Sequence, residues 1–363
     1  MEPGMKPVGH SKKLEVSDLT HIKEFLGETI VGQEQTVNRI AEIANQIELG
    51  IRGSTKGPIA RWIEVGPSGV GKTEVVLQLI RYFHDRYKSI QREEIKNTEP
   101  ENLLMKVNCA ELQHSHEIAK LIGSPPGYIG HRETEPVFSA ESISAHSLEF
   151  PDGRKVFFVL FDEIEKGSEA LYKLLLSPLD KGDMKLGDNT KVDFTNAVVI
   201  FTSNLGNKQV SKAASSIGFI PPILDKRKQG IARVKAVKDS FSTEMLGRLG
   251  GEKNIILFQE LSEAHLLRIL EINLRRIEYS FACNGANIKL SLSGGAEKWF
   301  LKHGTSPDTG ARELESLTDR EIVGELAKAS VNHKTKYPDP HLLNGKKLLI
   351  DVENDQIIIL DKT

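Results

Sequence analysis

The fold is decided by the stretch Gly66-Pro67-Ser68-Gly69-Val70-Gly71-Lys72-Thr73, which fits the phosphate-loop pattern G-x-x-x-x-G-K-[ST] at every fixed position. Gly69 and Gly71 allow the backbone to turn so that several N–H groups point at phosphate oxygens. Lys72 places a positive charge near the β- and γ-phosphates, and the Thr73 hydroxyl is a magnesium ligand. The pattern therefore predicts that the whole stretch binds the phosphates of ATP together with Mg²⁺.

The segments on either side of this loop favour the same interpretation. Residues 61–65 predict a short strand, and residues 74–81 carry apolar side chains at helical spacing, namely Val75, Val76, Leu79 and Ile80. A helix that begins at the loop has an N-terminus that favours anions. The alternative is a chance glycine-rich turn, and the order of strand, loop and helix argues against it.

Length and composition argue against a nucleic-acid-binding, membrane-spanning or secreted protein. The chain has 363 residues, enough for two domains, and a net charge of −2, which offers no basic field for nucleic acid. It contains no run of about 18 apolar residues, so we expect no membrane span. Cys109 and Cys283 are far apart and lack metal-ligand neighbours, which favours a reduced, cytoplasmic protein. Residues 1–15 lack the apolar core of a secretory signal and predict a flexible tail.

Strand patterns alternate with helical patterns over residues 16–259. Helices are expected at residues 16–26 and 33–49, and further strands at 103–107, 156–161, 197–201 and 254–258. This alternation predicts a doubly wound α/β domain with a parallel sheet. The charged residues 86–101 are expected to form a surface insertion. Residues 260–363 predict a smaller, mainly helical lid domain, with helices at 261–277, 296–301 and 312–329 and closing strands at 346–351 and 356–360.

Two carboxylates, Asp162 and Glu163, follow the apolar run at residues 156–161. In a phosphate-loop protein, Asp162 at such a strand end is expected to hold Mg²⁺, and Glu163 to orient and polarise the attacking water. Asn204 ends the next apolar strand, where its amide could touch the γ-phosphate or that water. The alternatives are an acidic pair that begins a surface loop and an Asn that ends a strand for ordinary turn reasons.

Residues 30 to about 329 resemble the second AAA+ module of the Clp unfoldases and disaggregases ClpA, ClpB and ClpC. The matching blocks occur in the family's order: Ile30-Val31-Gly32-Gln33, Gly123-Ser124-Pro125-Pro126-Gly127-Tyr128-Ile129-Gly130, Asp162-Glu163-Ile164-Glu165-Lys166, Thr202-Ser203-Asn204-Leu205-Gly206 and Thr309-Gly310-Ala311-Arg312. The resemblance implies a P-loop AAA+ domain with a five-stranded parallel sheet and a Clp-type small domain. We expect one such module as a stand-alone chain.

The resemblance also implies roles for individual residues. Val31 and Gly32 would contact the nucleotide base. Asn204 would be sensor 1, and Arg312 would be sensor 2, which reports the nucleotide state to the lid. Arg248 would be an arginine finger that reaches the γ-phosphate of a neighbouring subunit, worth on the order of 10³ to 10⁵ in rate in related chemistry. A finger in trans requires an oligomer, and the family implies a hexameric ring of identical or mixed AAA+ chains. The alternative for both arginines is an ordinary salt bridge.

Two loops suggest how hydrolysis is coupled to work. Tyr128, flanked by Gly127 and by Ile129-Gly130, resembles a pore loop that grips extended polypeptide without reading its sequence; an aromatic tucked against its own domain is the alternative. Residues 185–188 take the place of a second pore loop. Ile217-Gly218-Phe219 is similar to the tripeptide that docks Clp unfoldases on the ClpP peptidase, although such a tip could also fold back.

The sequence thus favours an ATP-dependent unfoldase or chaperone that hydrolyses ATP in a ring and remodels or threads polypeptides. The first alternative is an AAA+ assembly switch that acts on a dedicated partner without threading, and Tyr128→Ala separates the two because only threading needs that side chain. A nucleic-acid motor is disfavoured by the near-neutral charge. Departures from the family include Glu64, which lies in a strand that is normally apolar, and a longer segment at residues 139–155.

Overall fold

The computed structural model describes residues 17–51, 56–124, 136–206, 226–305, 309–330 and 339–362. Its α-helices are α1 (Ser17–Thr29), α2 (Glu34–Leu49), α3 (Lys72–Arg86), α4 (Glu93–Lys96), α5 (Ala119–Ile122), α6 (Ala140–Ala145), α7 (Glu169–Lys181), α8 (Lys226–Ser240), α9 (Thr243–Leu249), α10 (Glu263–Cys283), α11 (Gly294–His303), α12 (Ala311–Thr318) and α13 (Gly324–Ala329). Its strands are β1 (Ala60–Val65), β2 (Leu104–Asn108), β3 (Leu148–Glu149), β4 (Lys155–Asp162), β5 (Asp183–Lys185), β6 (Lys191–Asp193), β7 (Ala197–Ser203), β8 (Ile255–Leu257), β9 (Lys289–Leu292), β10 (Lys347–Glu353) and β11 (Gln356–Asp361). None of the helices in these ranges combines the length and the apolar character that crossing a membrane requires.

Five strands form the central sheet in the order β2-β4-β7-β1-β8, and each pair of neighbours in that order is parallel. The short strand β3 adds an antiparallel partner at the start of β4. Strand β4 is buried on both faces, because the successive residues Phe157 and Phe158 pack into different hydrophobic clusters. The predicted doubly wound five-stranded domain is confirmed.

Helices cover both faces of this sheet. On one face, α1, α2 and α3 contribute Leu26, Ile40 and Leu79 to a common core. On the other face, α7 and α9 contribute Leu171 and Met245. Because the five strands are parallel, their carboxyl ends lie at one edge of the sheet, and the loops that follow β1, β4 and β7 meet there.

Helices α10 to α13 and a second sheet, in the order β11-β10-β9, share a core of their own that includes Leu270, Phe300, Leu314 and Ile350. The predicted helical lid with closing strands is confirmed in outline. Two details differ from the expectation. Strand β9 was not predicted, and the single helix expected at residues 312–329 is divided by a π-helical turn at Asp319–Val323.

Residues 86–101 lie at the surface, as expected, with most side chains exposed, but the segment is anchored to the domain by buried residues. Gln91 and Ile95 are each only 3% exposed, although Glu93 and Glu94 between them face solvent. Gln91 Nε2 donates a hydrogen bond to the carbonyl of Glu149 at 2.8 Å, and Gln91 Oε1 accepts one from the Glu149 N–H at 2.8 Å. The segment therefore packs against β3. The buried Gln91 side chain makes the two hydrogen bonds to the Glu149 backbone that a neighbouring strand would otherwise make.

The residues expected as a second pore loop, 185–188, lie at the tip of the antiparallel hairpin formed by β5 and β6. The hairpin is tied to the large domain at this tip, because the Gly187 N–H donates a hydrogen bond to the Ile122 carbonyl at 2.8 Å. A Cβ on Gly187 would lie 2.4 Å from the Gly123 carbonyl oxygen, so the close approach requires glycine.

Candidate nucleotide site

The phosphate loop runs from the end of β1 to the start of α3. Gly69 and Gly71 have φ of +68° and +97°, in the left-handed region that glycine adopts at little cost. Gly71 is the N-cap of α3, and a Cβ there would meet nothing within 4 Å. The N-terminus of α3 thus begins at an open turn of backbone, which suits the binding of phosphate. Pro67, Ser68 and Val70 complete the loop, and Val70 is buried beneath it in the core.

Lys72 is the cation of this loop. Its Nζ donates hydrogen bonds to the carbonyls of Gly66 at 2.8 Å and Pro67 at 2.6 Å, and to Asn204 Oδ1 at 2.8 Å. Burial lowers the pKa of Lys72 to about 8, although the carboxylates of Glu165 and Asp162 act in the opposite direction. The ammonium group is therefore fixed by three neutral acceptors and keeps a charge to offer to phosphate at neutral pH.

Asp162, at the end of β4, is held by groups from both neighbouring strands. The Thr202 hydroxyl donates a hydrogen bond to Asp162 Oδ1 at 2.5 Å, and Lys106 Nζ lies 2.8 Å from Asp162 Oδ2. Burial alone would raise the pKa of Asp162, but these two contacts, together with the charge of Lys72, outweigh it and leave the pKa below its ordinary value. Asp162 is thus ionised and fixed in orientation, and with the Thr73 hydroxyl it offers the oxygen ligands that Mg²⁺ prefers.

Glu163 has a backbone conformation that is unusual for its type. Its φ is +54°, in the left-handed region, which costs roughly 1–2 kcal/mol for a residue with a side chain. The Glu163 N–H donates to the Thr202 hydroxyl at 3.0 Å, which helps to hold this conformation. The turn directs the Glu163 carboxylate toward Asn204, whose Nδ2 donates to Glu163 Oε1 at 2.9 Å, while Lys166 Nζ contacts Glu163 Oε2.

Asn204 joins the two halves of the site. Its Oδ1 accepts from Lys72 and its Nδ2 donates to Glu163, so one amide links the phosphate loop to the end of β4. The Asn204 N–H donates to Glu165 Oε1 at 2.9 Å, which fixes the backbone that carries the amide. The structure therefore brings Lys72, Asp162, Glu163 and Asn204 together, as the sequence predicts.

The expected arginines lie in different surroundings. Arg312 is the second residue of α12 and is exposed, and its charge contributes to the lowered pKa of Lys72. Arg248 lies near the end of α9, where its guanidinium is 3.1 Å from Glu244 and 3.8 Å from Asp180. In this chain, Arg248 thus makes the ordinary ion pairs that the alternative interpretation expects, and its action on a neighbouring subunit stays a prediction.

Gly32, expected near the base, is covered by the small domain. A Cβ on Gly32, whose φ is +72°, would lie 2.4 Å from His265 Nδ1 in the first turn of α10. The adjacent Gln33 side chain exchanges hydrogen bonds with the backbone of Gln259, at 2.9 Å and 2.8 Å. A cavity of about 950 Å³ opens beside Gly32, and its lining includes Thr36, Ile231, Lys235, Leu257 and His265. Val31, on the same turn, is half-buried.

Three supporting residues escaped the sequence analysis as individual site residues, namely Lys106, Glu165 and Thr202. Each contacts an expected site residue across the sheet edge. Their only signal in the sequence is a polar side chain at or near the end of an apolar strand. Two groups of predicted residues, Gly127-Tyr128-Ile129-Gly130 and Ile217-Gly218-Phe219, lie outside the described residues.

Two family models match the chain, one over the large α/β domain and one over the small helical domain. Residues 57–251, which contain the phosphate loop and most of the central sheet, match the family model described as AAA domain (Cdc48 subfamily). The chain belongs to the AAA family. Residues 261–341 match the C-terminal, D2-small domain, of ClpB protein. The resemblance to the second module of the Clp family is thereby confirmed.

Among curated relatives, this AAA chain is 30% identical over 323 residues to the chaperone protein ClpB of Propionibacterium freudenreichii subsp. shermanii, covering 89% of the chain and 33% of that protein. It is 30% identical over 360 residues to the ATP-dependent Clp protease ATP-binding subunit ClpA homolog of Cyanidium caldarium, covering 98% and 38%. Among solved structures, the S. cerevisiae Hsp104:casein complex in its extended conformation matches with a TM-score of 0.72 and 25% identity, over 97% of this chain and 53% of that one. The chain thus spans 33% and 38% of the length of these two curated relatives.

Proposed function

We propose that the chain binds ATP with Mg²⁺, hydrolyses it, and works in a ring that remodels or threads polypeptide chains. The observation that carries this proposal is the Asn204 amide, which connects the phosphate-binding Lys72 to the carboxylate of Glu163. A site that only stores a nucleotide has no need for a carboxylate fixed by the same amide that holds the phosphate-loop lysine.

Different residues of the site would bind the phosphates of ATP and the Mg²⁺ ion. ATP supplies the phosphoryl group that is transferred, and Mg²⁺ offsets the charge on its phosphates. The loop at residues 66–73 would hold the phosphates through its N–H groups and Lys72, and Thr73 with Asp162 would hold the metal ion. Asp162 suits that role because Lys106 and Thr202 keep it ionised and oriented.

Glu163 would orient and polarise the attacking water. In the described state, both of its carboxylate oxygens are engaged, by Asn204 and by Lys166. Each oxygen keeps a second lone pair, so Glu163 can accept a hydrogen bond from water while these two contacts hold the carboxylate in place. Asn204 is well placed to couple the position of Glu163 to the nucleotide, because the same amide also contacts Lys72.

Two arginines would complete the site. Arg312 would contact the phosphates from the small domain of the same chain, and Arg248 would reach the γ-phosphate held by the next subunit. Positive charge supplied where the transition state gains negative charge is the usual way in which such sites accelerate phosphoryl transfer. A ring, of identical or mixed AAA chains, gives every site a neighbour that supplies Arg248.

Polypeptide is the substrate class that we propose, with Tyr128 as the gripping side chain. Support comes from relatives named as chaperones and from the likeness to an Hsp104 structure that contains casein. A relative named as the ATP-binding subunit of a Clp protease supports a weaker proposal, that Ile217, Gly218 and Phe219 dock on a peptidase of the ClpP kind. We also propose a cytoplasmic location.

Glu163→Gln tests the proposed hydrolysis. The neutral amide cannot polarise water, so we expect turnover to fall by about 10² to 10⁴, while ATP affinity stays within about twofold. Phosphate release and binding of a fluorescent ATP analogue measure the two quantities. The matched control is Glu169→Gln, whose side chain is 82% exposed on α7 and should leave both unchanged. Normal hydrolysis by Glu163→Gln would refute the assignment.

A further inference from the structure

The phosphate loop and the small domain meet backbone to backbone. The N–H of Ala311, the first residue of α12, donates a hydrogen bond to the carbonyl of Gly69 at 3.1 Å. This bond runs from the loop that would bind phosphate to the helix that carries Arg312. It is therefore a direct mechanical link between the two domains.

Glycine is required on both sides of this junction. A Cβ on Gly69 would lie 2.0 Å from the Thr309 carbonyl oxygen, and a Cβ on Gly310 would lie 2.5 Å from the Ser68 carbonyl oxygen. Both residues also have positive φ, +68° and +57°. Any side chain at either position would push the two backbones apart, so the glycines permit the approach that the Ala311 hydrogen bond needs.

The helix beyond the junction is held firmly in its own domain. Leu314 of α12 is fully buried in the small-domain core, and its side chain packs against Gly304. At the start of the helix, Thr309 Oγ1 donates to Glu313 Oε2 at 2.8 Å. Ala311 and Leu314 lie one helical turn apart in α12. Because this turn is rigid, the hydrogen bond of Ala311 and the burial of Leu314 together fix the backbone position of Arg312.

We propose that the Ala311–Gly69 hydrogen bond positions Arg312 at the phosphate site, so that a change in the phosphate loop moves the small domain through the backbone itself. The inference rests on the proposed function, in which Arg312 contacts the phosphates. Ala311 and Gly310 are then positioning residues, and the small domain responds to the nucleotide through the loop as well as through the arginine.

Ala311→Pro tests the junction, because proline removes the N–H donor but is favoured at the first position of a helix. The affinities for ATPγS and for ADP are measured separately by calorimetry. We expect Arg312→Ala to weaken ATPγS binding about tenfold while ADP binding changes little, since the lost contact is charge-assisted and made to phosphate. Ala311→Pro should lower the ratio of the ATPγS affinity to the ADP affinity by a similar factor.

The double variant separates a positioning role from a general structural one. If Ala311 acts by placing Arg312, the double variant Ala311→Pro, Arg312→Ala should lose little more than Arg312→Ala alone. Additive losses would overturn the proposal. The matched control is Gly294→Pro, at the first position of α11, where a Cβ meets nothing within 4 Å and the preceding Ser293 is already extended. It should bind both nucleotides as the unmodified protein does.

Hydrogen exchange on the unmodified chain gives a test that needs no variant to fold. Peptides that cover the phosphate loop and peptides that cover α12 should change protection together when ATPγS replaces ADP. A change in the loop alone would overturn the proposal. If Arg312→Ala leaves both affinities unchanged, the proposed role of Arg312 fails; if Arg312→Ala lowers the ratio and Ala311→Pro does not, only the junction fails.

Discussion

Glu64 is a carboxyl group fully buried in β1, two residues before the phosphate loop. Trp62 Nε1 donates a hydrogen bond to Glu64 Oε1 at 2.9 Å, whereas Glu64 Oε2 has no partner among the described residues. Burial raises the pKa of Glu64 to about 8 and Asp162 adds to the rise, while the Trp62 bond and Lys72 oppose it. The side chain is therefore largely protonated at neutral pH.

This raised pKa predicts how stability depends on pH. Glu64 has an ordinary pKa of 4.5, so between about pH 4.5 and pH 8 the folded chain binds a proton that the unfolded chain releases. The free energy of unfolding should therefore fall as pH rises through this window, by about 1.4 kcal/mol per pH unit at most. Glu64→Gln cannot ionise, and we expect it to remove this slope and to be the more stable protein near pH 8.

Urea unfolding at pH 5.5 and at pH 8 measures the difference. Glu24→Gln, an exposed position on α1, is the control and should keep the slope of the unmodified chain. The same loss of stability in Glu64→Gln and in the unmodified chain between the two pH values would contradict the prediction.

The sequence could predict residues whose chemistry is tied to a fixed spacing. Lys72 follows from the phosphate-loop pattern, and Asp162 and Glu163 follow from carboxylates at the end of an apolar strand. Thr202 and Lys106 could not be assigned in the same way. Their contacts with Asp162 depend on which strands are neighbours and in what register, for example the alignment of Asn108 with Asp162, and a single sequence does not reveal that pairing.

Among the elements, the segment at residues 86–101 shows what composition cannot reveal. Its charges predict a solvated insertion, and most of its side chains are exposed, yet Gln91 is buried and makes both hydrogen bonds to the backbone of Glu149. Gln91→Ala would leave the N–H and the carbonyl of Glu149 without that partner at the edge of the sheet. We expect a loss of about 1–3 kcal/mol in the free energy of unfolding.

Chemical unfolding followed by circular dichroism measures this loss. Gln113→Ala is the matched control, because Gln113 is exposed and donates a single hydrogen bond to the Ala110 carbonyl. Equal stability of Gln91→Ala and Gln113→Ala would show that the buried amide does not hold the segment in place.

Helix and strand patterns predicted the elements with long apolar periodicity, such as α10 and β4. They did not reveal β9, whose side chains are only half-buried and whose sequence is four residues long. They also joined α12 and α13 into one helix, because the π-helical turn at Asp319–Val323 keeps the helical direction and apolar spacing alone does not distinguish a π turn from an α turn.

At the scale of the assembly, the prediction concerns Arg248. If Arg248 serves the neighbouring subunit, Arg248→Ala and Glu163→Gln should each be inactive, and a mixture of the two should regain ATP hydrolysis. In a mixed ring, the intact Glu163 of one chain meets the intact Arg248 of the other at some interfaces. Rate loss in Arg248→Ala alone should be on the order of 10³ or more.

Phosphate release from each variant and from equal mixtures measures the effect. A mixture of Arg248→Ala with the double variant Arg248→Ala, Glu163→Gln is the control, because it contains no intact Arg248 and should stay inactive. Failure of the first mixture to exceed its two components, under conditions in which they co-assemble, would place Arg248 in the same chain's site or outside the chemistry.

The small domain touches the large one at both ends of the proposed nucleotide site, with His265 over Gly32 and Ala311 on Gly69. Rotation of the small domain about the line through these two contacts would keep both of them. Arg312, next to one of the contacts, would then move little, whereas the parts of the small domain farthest from the line would travel most. If the chain works in the proposed ring, such a rotation would convert a small rearrangement at the phosphates into a large displacement at the subunit's periphery.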